Sequence, residues 1–237
     1  MIGRGPGRER PFRIVPYARQ TLDSPNPLVR FAHRRRLALS LRLADSLLPQ
    51  GGVLVDFGAG EGGFVSALAA QRSDARCLAV EPHMDLADPA VGTLDRLADA
   101  TTGSVDLVTA LEVLEHLSTA ELQDFLAACH RVLRPEGRVL VTVPIMYGLA
   151  LPFKEASRAI MRRRLDSISP RELLRATAGL PIARSPNLLG SHKGFDFRIL
   201  RGALAATFTV QRETCSPFPV LPWWCNSQAV LIAGRTV

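Results

Sequence analysis

Lysine is nearly missing from this chain of 237 residues: Lys154 and Lys193 are the only two, and arginine carries the rest of the positive charge. Cysteine is scarce too. Cys77, Cys129, Cys215 and Cys225 fall at irregular spacings with no C-x-x-C pair. That pattern excludes a disulfide framework and a cysteine-built zinc site, and it fits a reducing compartment. Aromatic residues make up 6% of the chain and do not interleave with the N-terminal arginines in a base-stacking pattern, which counts against a single-strand nucleic-acid binder. No recognisable RNA-binding appendage is present either. Long apolar runs are absent. The longest near-candidate, Ile145 to Phe153, is half of the ~18 residues that a spanning helix needs. The first residues include no apolar stretch of the kind that a secretory signal requires, so a cytoplasmic protein is expected.

What remains is an ordinary globular composition, 47% apolar and 22% charged, at a length suited to one α/β domain. The formal charge of +7 is concentrated. Residues 1–36 hold nine arginines against Glu9 and Asp23, and the other 201 residues balance. Such an arm suits an anionic membrane surface or a phosphate backbone, and equally a solvated tail and helix face.

Periodicity divides the chain. Residues 1–27, rich in glycine and proline, read as a flexible basic lead-in. Residues 28–237 read as the folded domain, entered by a helix from Leu28 to Leu48 that Pro49-Gln50-Gly51-Gly52 stops. Strands are expected at Val53–Phe57, Arg76–Val80, Val105–Leu111 and Arg138–Val143, with a weak third strand at Val91–Leu94. Helices are expected at Gly63–Gln71 and Glu121–Leu133. Alternating strands and helices predict right-handed βαβ units and a parallel sheet covered on both faces. After a core at 50–145, residues 146–205 read as an acceptor-side insertion. It holds a basic amphipathic helix from Lys154 to Leu165 and a capping box at Ser169-Pro170-Arg171-Glu172 opening a helix that Gly179 ends. Residues 206–237 read as closing strands, Ala206–Thr214 and Gln228–Arg235, forming an antiparallel pair.

Asp56-Phe57-Gly58-Ala59-Gly60-Glu61-Gly62-Gly63 joins the first strand to the first helix. Glycines there let the chain turn sharply and let a ligand approach peptide N–H groups. Glu81, 21 residues beyond Gly60 at the end of the second strand, is placed to accept two ribose hydroxyls. Together they predict an adenosine-bearing ligand. Gly58-x-Gly60-x-x-Gly63 also satisfies the dinucleotide fingerprint. Asp56 separates the two cases: a carboxylate facing the loop repels a pyrophosphate and attracts the sulfonium and ammonium of S-adenosylmethionine.

Val53 to Gly62, the strand ending at Glu81, Val105–Val108 with Glu112-Val113-Leu114-Glu115-His116-Leu117, and Leu133-Arg134-Pro135-Glu136-Gly137-Arg138 resemble successive motifs of class I S-adenosylmethionine-dependent methyltransferases. The resemblance spans about residues 50–145 and departs at Phe57, at Ala59 and between Glu81 and Val105. It implies a Rossmann-like α/β fold: a seven-stranded, mostly parallel sheet with helices on both faces and an antiparallel final pair. It also implies a cofactor site at Asp56, Gly58, Ala59, Gly60, Glu81, Pro82, Leu111 and Asp95, with Asp99 an alternative to Asp95 at the adenine.

Glu112 lies at the carboxyl end of a parallel strand, where ligands of open α/β sheets bind, and Glu115 and His116 follow within one turn. Glu-x-x-Glu-His with the distant His192 is similar to the metal-dependent members, among them small-RNA 2′-O-methyltransferases and ubiquinone-pathway O-methyltransferases. The resemblance implies a divalent cation (Mg²⁺, Mn²⁺ or Zn²⁺) on Glu112, Glu115, His116 and His192, lowering the pKa of an acceptor hydroxyl. Without a metal, His116 or His192 is the general base, and Glu112 is a further catalytic candidate. The apolar segments Met146–Phe153 and Phe218–Trp224 suit a small-molecule, lipid-linked or glycan acceptor, with nucleic acid disfavoured. The rival readings are a nicotinamide-dependent oxidoreductase and a non-catalytic binding module with the same fold.

Overall fold

In the computed structural model, which describes residues 27–82, 84, 86, 88–160 and 168–235, the short apolar runs pair as strands. They are β1 (Val53–Phe57), β2 (Arg76–Val80), β3 (Gly92–Leu94), β4 (Val105–Leu111), β5 (Leu133–Pro144), β6 (Phe208–Ser216) and β7 (Gln228–Arg235). The sheet order is β3-β2-β1-β4-β5-β7-β6. β1 to β5 run parallel, with Asp56 beside Ala79 on one side and Thr109 on the other. β7 is antiparallel to both β5 and β6, so the expected closing pair is present. The fold is Rossmann-like, as predicted.

Alternation along the central strands explains why both faces are covered. Leu54, Leu107 and Leu140 point to one side and meet Leu43, Leu48, Phe64 and Leu68. Those partners come from α1 (Pro27–Leu47), the residue after it, and α2 (Gly63–Gln71). Val55, Val108, Val139 and Val141 point to the other side. They share a core with Phe125, Leu126 and Cys129 of α3 (Thr119–Val132) and with Leu200 and Leu204 of α6 (Phe197–Thr207). Removing one such buried leucine side chain costs about 2–5 kcal/mol. Between β5 and α6 lie α4 (Ala150–Ile160) and α5 (Pro170–Thr177). Ser169 caps α5 with the reciprocal Glu172 contact that the sequence predicts.

Three expectations shift. The turn at Pro135-Glu136-Gly137 is an irregularity inside β5, where the register passes from Val105–Leu133 to Leu107–Arg138. Proline cannot donate to the ladder, so the extra residues leave it. The strand expected from Ala206 begins at Phe208 instead, because α6 occupies the preceding residues. Asp196 caps that helix by accepting from Arg198 N–H, and Phe197, Leu200 and Leu204 are buried at helical spacing, a period overlooked in the sequence. The helix expected from Lys154 starts earlier, at Ala150. The arginines at 162–164 and the lead-in up to residue 26 lie outside the described residues.

The strand order reverses between β1 and β4. That switch point opens a crevice at the carboxyl ends of those two strands, the usual ligand position in open α/β sheets.

Candidate active site

On the β1 side of the crevice, backbone does the positioning. Gly58 N–H donates to Val80 O at 2.9 Å, binding the loop to the end of β2, and Ala59 N–H reaches the same oxygen at 3.4 Å. Gly58 has φ +73°, and a Cβ there would lie 2.5 Å from Val113 Cγ2. The loop is closed on that side. Gly60 has φ +56° and faces open space, with nothing within 4 Å of where its Cβ would stand. Its N–H donates to Glu81 Oε2 at 2.9 Å, a contact between loop and acid beyond the ribose role expected of Glu81. An open cradle floored by glycine and edged by Glu81 fits a nucleoside.

Asp56 is buried beneath this cradle and accepts from Thr109 Oγ1 at 2.6 Å. Burial pushes its pKa up to about 7, the Thr109 hydrogen bond opposes the rise, and the nearby Glu81 carboxylate adds to it. Pro82 is exposed past the end of β2, Leu111 is half-buried at the end of β4, and Asp95 is exposed just after β3. Asp99 accepts from the Arg96 backbone N–H and guanidinium, so Asp95 is the less encumbered of the two acids.

On the β4 side, side chains from distant parts of the chain do the positioning. Glu112 adopts φ +61°, a left-handed conformation that is rare without glycine and clusters at functional sites. Its carboxylate pairs with Arg36 of α1 at 2.9 Å and accepts from Gln228 Nε2 at 2.8 Å and from Thr142 Oγ1 at 3.5 Å. Arg36 in turn donates to His33 Nδ1 at 2.7 Å. Burial, then Arg36, lowers the His33 pKa to about 4 and keeps that ring a neutral acceptor.

Beside Glu112, Glu115, His116 and His192 converge. Glu115 Oε1 lies 3.9 Å from His116 Nε2 and 4.0 Å from His192 Nε2, and the two nitrogens are 3.3 Å apart. Glu112 is outside this group. The Glu115 side chain is 0% exposed, and neither carboxylate oxygen accepts a hydrogen bond among the described residues. Burial first and the Glu112 charge second push its pKa well above the carboxylate range. His116 Nδ1 is 2.7 Å from Leu188 O. A carbonyl can only accept, so Nδ1 carries the hydrogen and Nε2 is the nitrogen that faces the cluster. Arg184 anchors the 182–195 segment by donating to Glu115 O at 2.6 Å and lying 5.3 Å over the Phe195 ring. Donor atoms sharing a cation with bonds of about 2.0–2.2 Å can be at most roughly 4.3 Å apart. The three atoms satisfy that limit, and the orphaned buried carboxylate is the partner a cation lacks elsewhere. The residues fit a divalent ion.

Sequence reasoning missed Thr109, Arg36, Thr142, Gln228 and Arg184. Gln228 follows Glu112 by 116 residues, and no local spacing announces such a contact.

Residues 55–141 match the family described as "Methyltransferase domain". No curated protein matches the chain. Among solved structures, the PH0226 protein from Pyrococcus horikoshii is 14% identical, with 93% of this chain and 96% of that one covered at a TM-score of 0.59. A Burkholderia thailandensis 1,6-didemethyltoxoflavin-N1-methyltransferase, solved with its substrate and S-adenosylhomocysteine, is 19% identical, with 85% and 79% covered at 0.54.

Proposed function

We propose that this chain is an S-adenosylmethionine-dependent methyltransferase that methylates oxygen on a small-molecule, lipid-linked or glycan acceptor, a reading that the methyltransferase-domain match over residues 55–141 supports. Asp56, Gly58, Ala59, Gly60 and Glu81 would hold the cofactor, with Leu111, Pro82 and Asp95 bordering it. Glu115, His116 and His192 would hold one Mg²⁺, Mn²⁺ or Zn²⁺. When bound, the cofactor supplies an electrophilic methyl group on a sulfonium, and the cation supplies Lewis acidity toward a hydroxyl. The observation that carries the oxygen acceptor is the buried Glu115 carboxylate, without a hydrogen-bond donor among the described residues and facing two imidazole nitrogens.

The chain's own part is positioning and proton handling. Leu188 O fixes the His116 ring so that Nε2 faces the cluster, where it would be a ligand to the cation. Without a cation, the same Nε2, or His192 Nε2 3.3 Å away, would instead be the general base that takes the proton of an acceptor hydroxyl. Glu112, clamped by Arg36 and Gln228, supplies a fixed negative charge at the rim of the crevice. Transfer itself is in-line displacement at the methyl carbon, so holding the oxygen opposite sulfur is the main task. The arginines at 1–35 support contact with an anionic membrane surface, Arg36 being engaged by Glu112; residues 1–26 lie outside the described part.

Calorimetry on the EDTA-treated protein tests this. S-adenosylhomocysteine is expected to bind at micromolar Kd, and Mg²⁺, Mn²⁺ or Zn²⁺ added alone to give one-site heat that Glu115→Gln and His192→Ala each remove. Cation heat that survives both substitutions, or none at all, overturns the metal reading. NAD(H) binding without S-adenosylhomocysteine binding overturns the methyltransferase.

A further inference from the structure

We propose that the loop between β6 and β7, together with the start of α4, docks the protein onto an anionic lipid surface. The loop is unusual in charge and in exposure. From Thr214 to Gly234 no side chain is Asp, Glu, Lys, Arg or His. Within that stretch Phe218, Val220, Leu221 and Trp224 face solvent, Val220 at 91% and Trp224 at 43%. Leu149 N–H donates to Trp224 O at 2.8 Å, which brings the start of α4 alongside. Leu149 and, one helical turn on, Phe153 are exposed too, Phe153 at 77%. Apolar patches of this kind mark interaction sites rather than ordinary surface.

Backbone accounting favours lipid as the occupant. Asn226, fully buried, organises the loop from within. Its Nδ2 donates to Phe218 O, Leu221 O and Pro222 O at 3.0–3.2 Å, and its Oδ1 accepts from Phe218 N–H at 2.8 Å. Leu149, Asn226 and Cys225 N–H groups satisfy Trp224 O, Trp223 O and Pro222 O. Pro217, Pro219 and Pro222 have no N–H to satisfy. The carbonyls of Phe218 and of residues 221–224 are thus settled internally, which lowers the cost of bringing this part of the loop into a water-poor interface. The loop is also held rigid, so little ordering entropy is spent on docking.

Charge favours an anionic surface. In the sequence, residues 154–166, immediately beyond Phe153, carry Lys154, Arg158, Arg162, Arg163 and Arg164 against Glu155 and Asp166, a basic excess that anionic headgroups attract. The loop leads directly into Ser227 and Gln228, and Gln228 holds Glu112. The docking face therefore adjoins the β4 side of the crevice. This last step rests on the methyltransferase reading and selects, among the acceptors named for it, the lipid-linked class.

Trp223 and Trp224 are the only tryptophans, so intrinsic fluorescence reports the loop directly. The full chain is titrated with vesicles of phosphatidylcholine containing 30% phosphatidylglycerol and with phosphatidylcholine alone. Co-sedimentation and a blue shift of emission are expected on the anionic vesicles, at least tenfold stronger than on the neutral ones. Val220→Asp and Phe153→Ser change side chains that stand in solvent, so folding should persist. Each is expected to cut partitioning at least fivefold while S-adenosylhomocysteine affinity stays within twofold. No shift on either vesicle overturns the proposal, as does equal binding to both. Concentration-dependent self-association, seen by light scattering without lipid and lost in Val220→Asp, assigns the patch to a second copy and overturns it as well. Failure to bind S-adenosylhomocysteine would sink the methyltransferase reading and leave the vesicle result standing.

Discussion

The two walls of the crevice are built by different means. On the β1 side, the loop Gly58–Gly60 and Glu81 are set by glycine φ angles and strand ends, and their spacing of 21 residues is enough to place both at the same end of the sheet. On the β4 side, one turn of chain from Glu112 to His116 is completed by Arg36, His192 and Gln228, brought in from both ends of the sequence. Backbone-built sites are economical and general, because any chain with the right glycines can make them. Side-chain-built sites depend on what is packed around them, and that is where acceptor specificity can vary.

Two glycine substitutions break the comparison most sharply. Gly60→Ala places a methyl group in open space and incurs mainly the left-handed backbone cost, about 1 kcal/mol of stability. If the cofactor lies over Gly60, S-adenosylhomocysteine affinity falls far more, at least about 30-fold, or about 2 kcal/mol. Gly58→Ala meets Val113 as well and is expected to lose about 3 kcal/mol of stability together with binding. Chemical denaturation and calorimetry on both variants separate the outcomes. Parent-like binding by Gly60→Ala would move the cofactor off the open side of the loop.

A charge deletion on the other wall should leave the cofactor alone. Arg36→Met strands Glu112 with Gln228 and Thr142 as its remaining partners, in a place where both ion-pair side chains are less than one-fifth exposed. A loss of about 2 kcal/mol in stability is expected, with S-adenosylhomocysteine affinity unchanged within twofold. Adding Glu112→Gln should recover part of the loss, since the charge left unpaired is then gone. A large drop in cofactor affinity would show that α1 braces both walls.

The same division decides what could be read from the residues. The parallel strands, α2, α3 and the loop from Asp56 to Gly63 follow from local period and glycine placement, and the weak third strand expected at Val91–Leu94 is present as Gly92–Leu94, whereas α6 went unread. His192 could be paired with Glu115 and His116 only through a family resemblance; its place 3.3 Å from His116 depends on the path of residues 182–195, which Arg184 pins from a distance. Lys154 looked like part of a basic helix face. It is turned inward instead, with its ammonium donating to Ile145 O and Ser227 O, two carbonyls that no helical wheel contains. The exposed loop around Asn226 was legible as apolar, but its exposure was not, because composition alone does not distinguish a pocket wall from a projecting surface.

Asp56 gives the smallest and most discriminating test, because stability and binding should respond to pH in opposite directions. Its native pKa of about 7 lies above the roughly 3.9 of an unfolded aspartate. The folded state therefore binds a proton that the unfolded chain releases, and this contribution to stability is complete below about pH 4 and lost as pH rises through 7. A ligand bearing an ammonium group needs the carboxylate, so S-adenosylhomocysteine should bind more tightly as pH climbs from 5 to 8. Asp56→Asn, still able to accept from Thr109, should flatten both slopes, weakening binding at pH 8 while sparing it at pH 5. Unfolding curves and calorimetric titrations at the two pH values are sufficient. If both slopes survive the substitution, the titrating group is elsewhere, and the β1 wall binds its ligand through backbone and Glu81 alone.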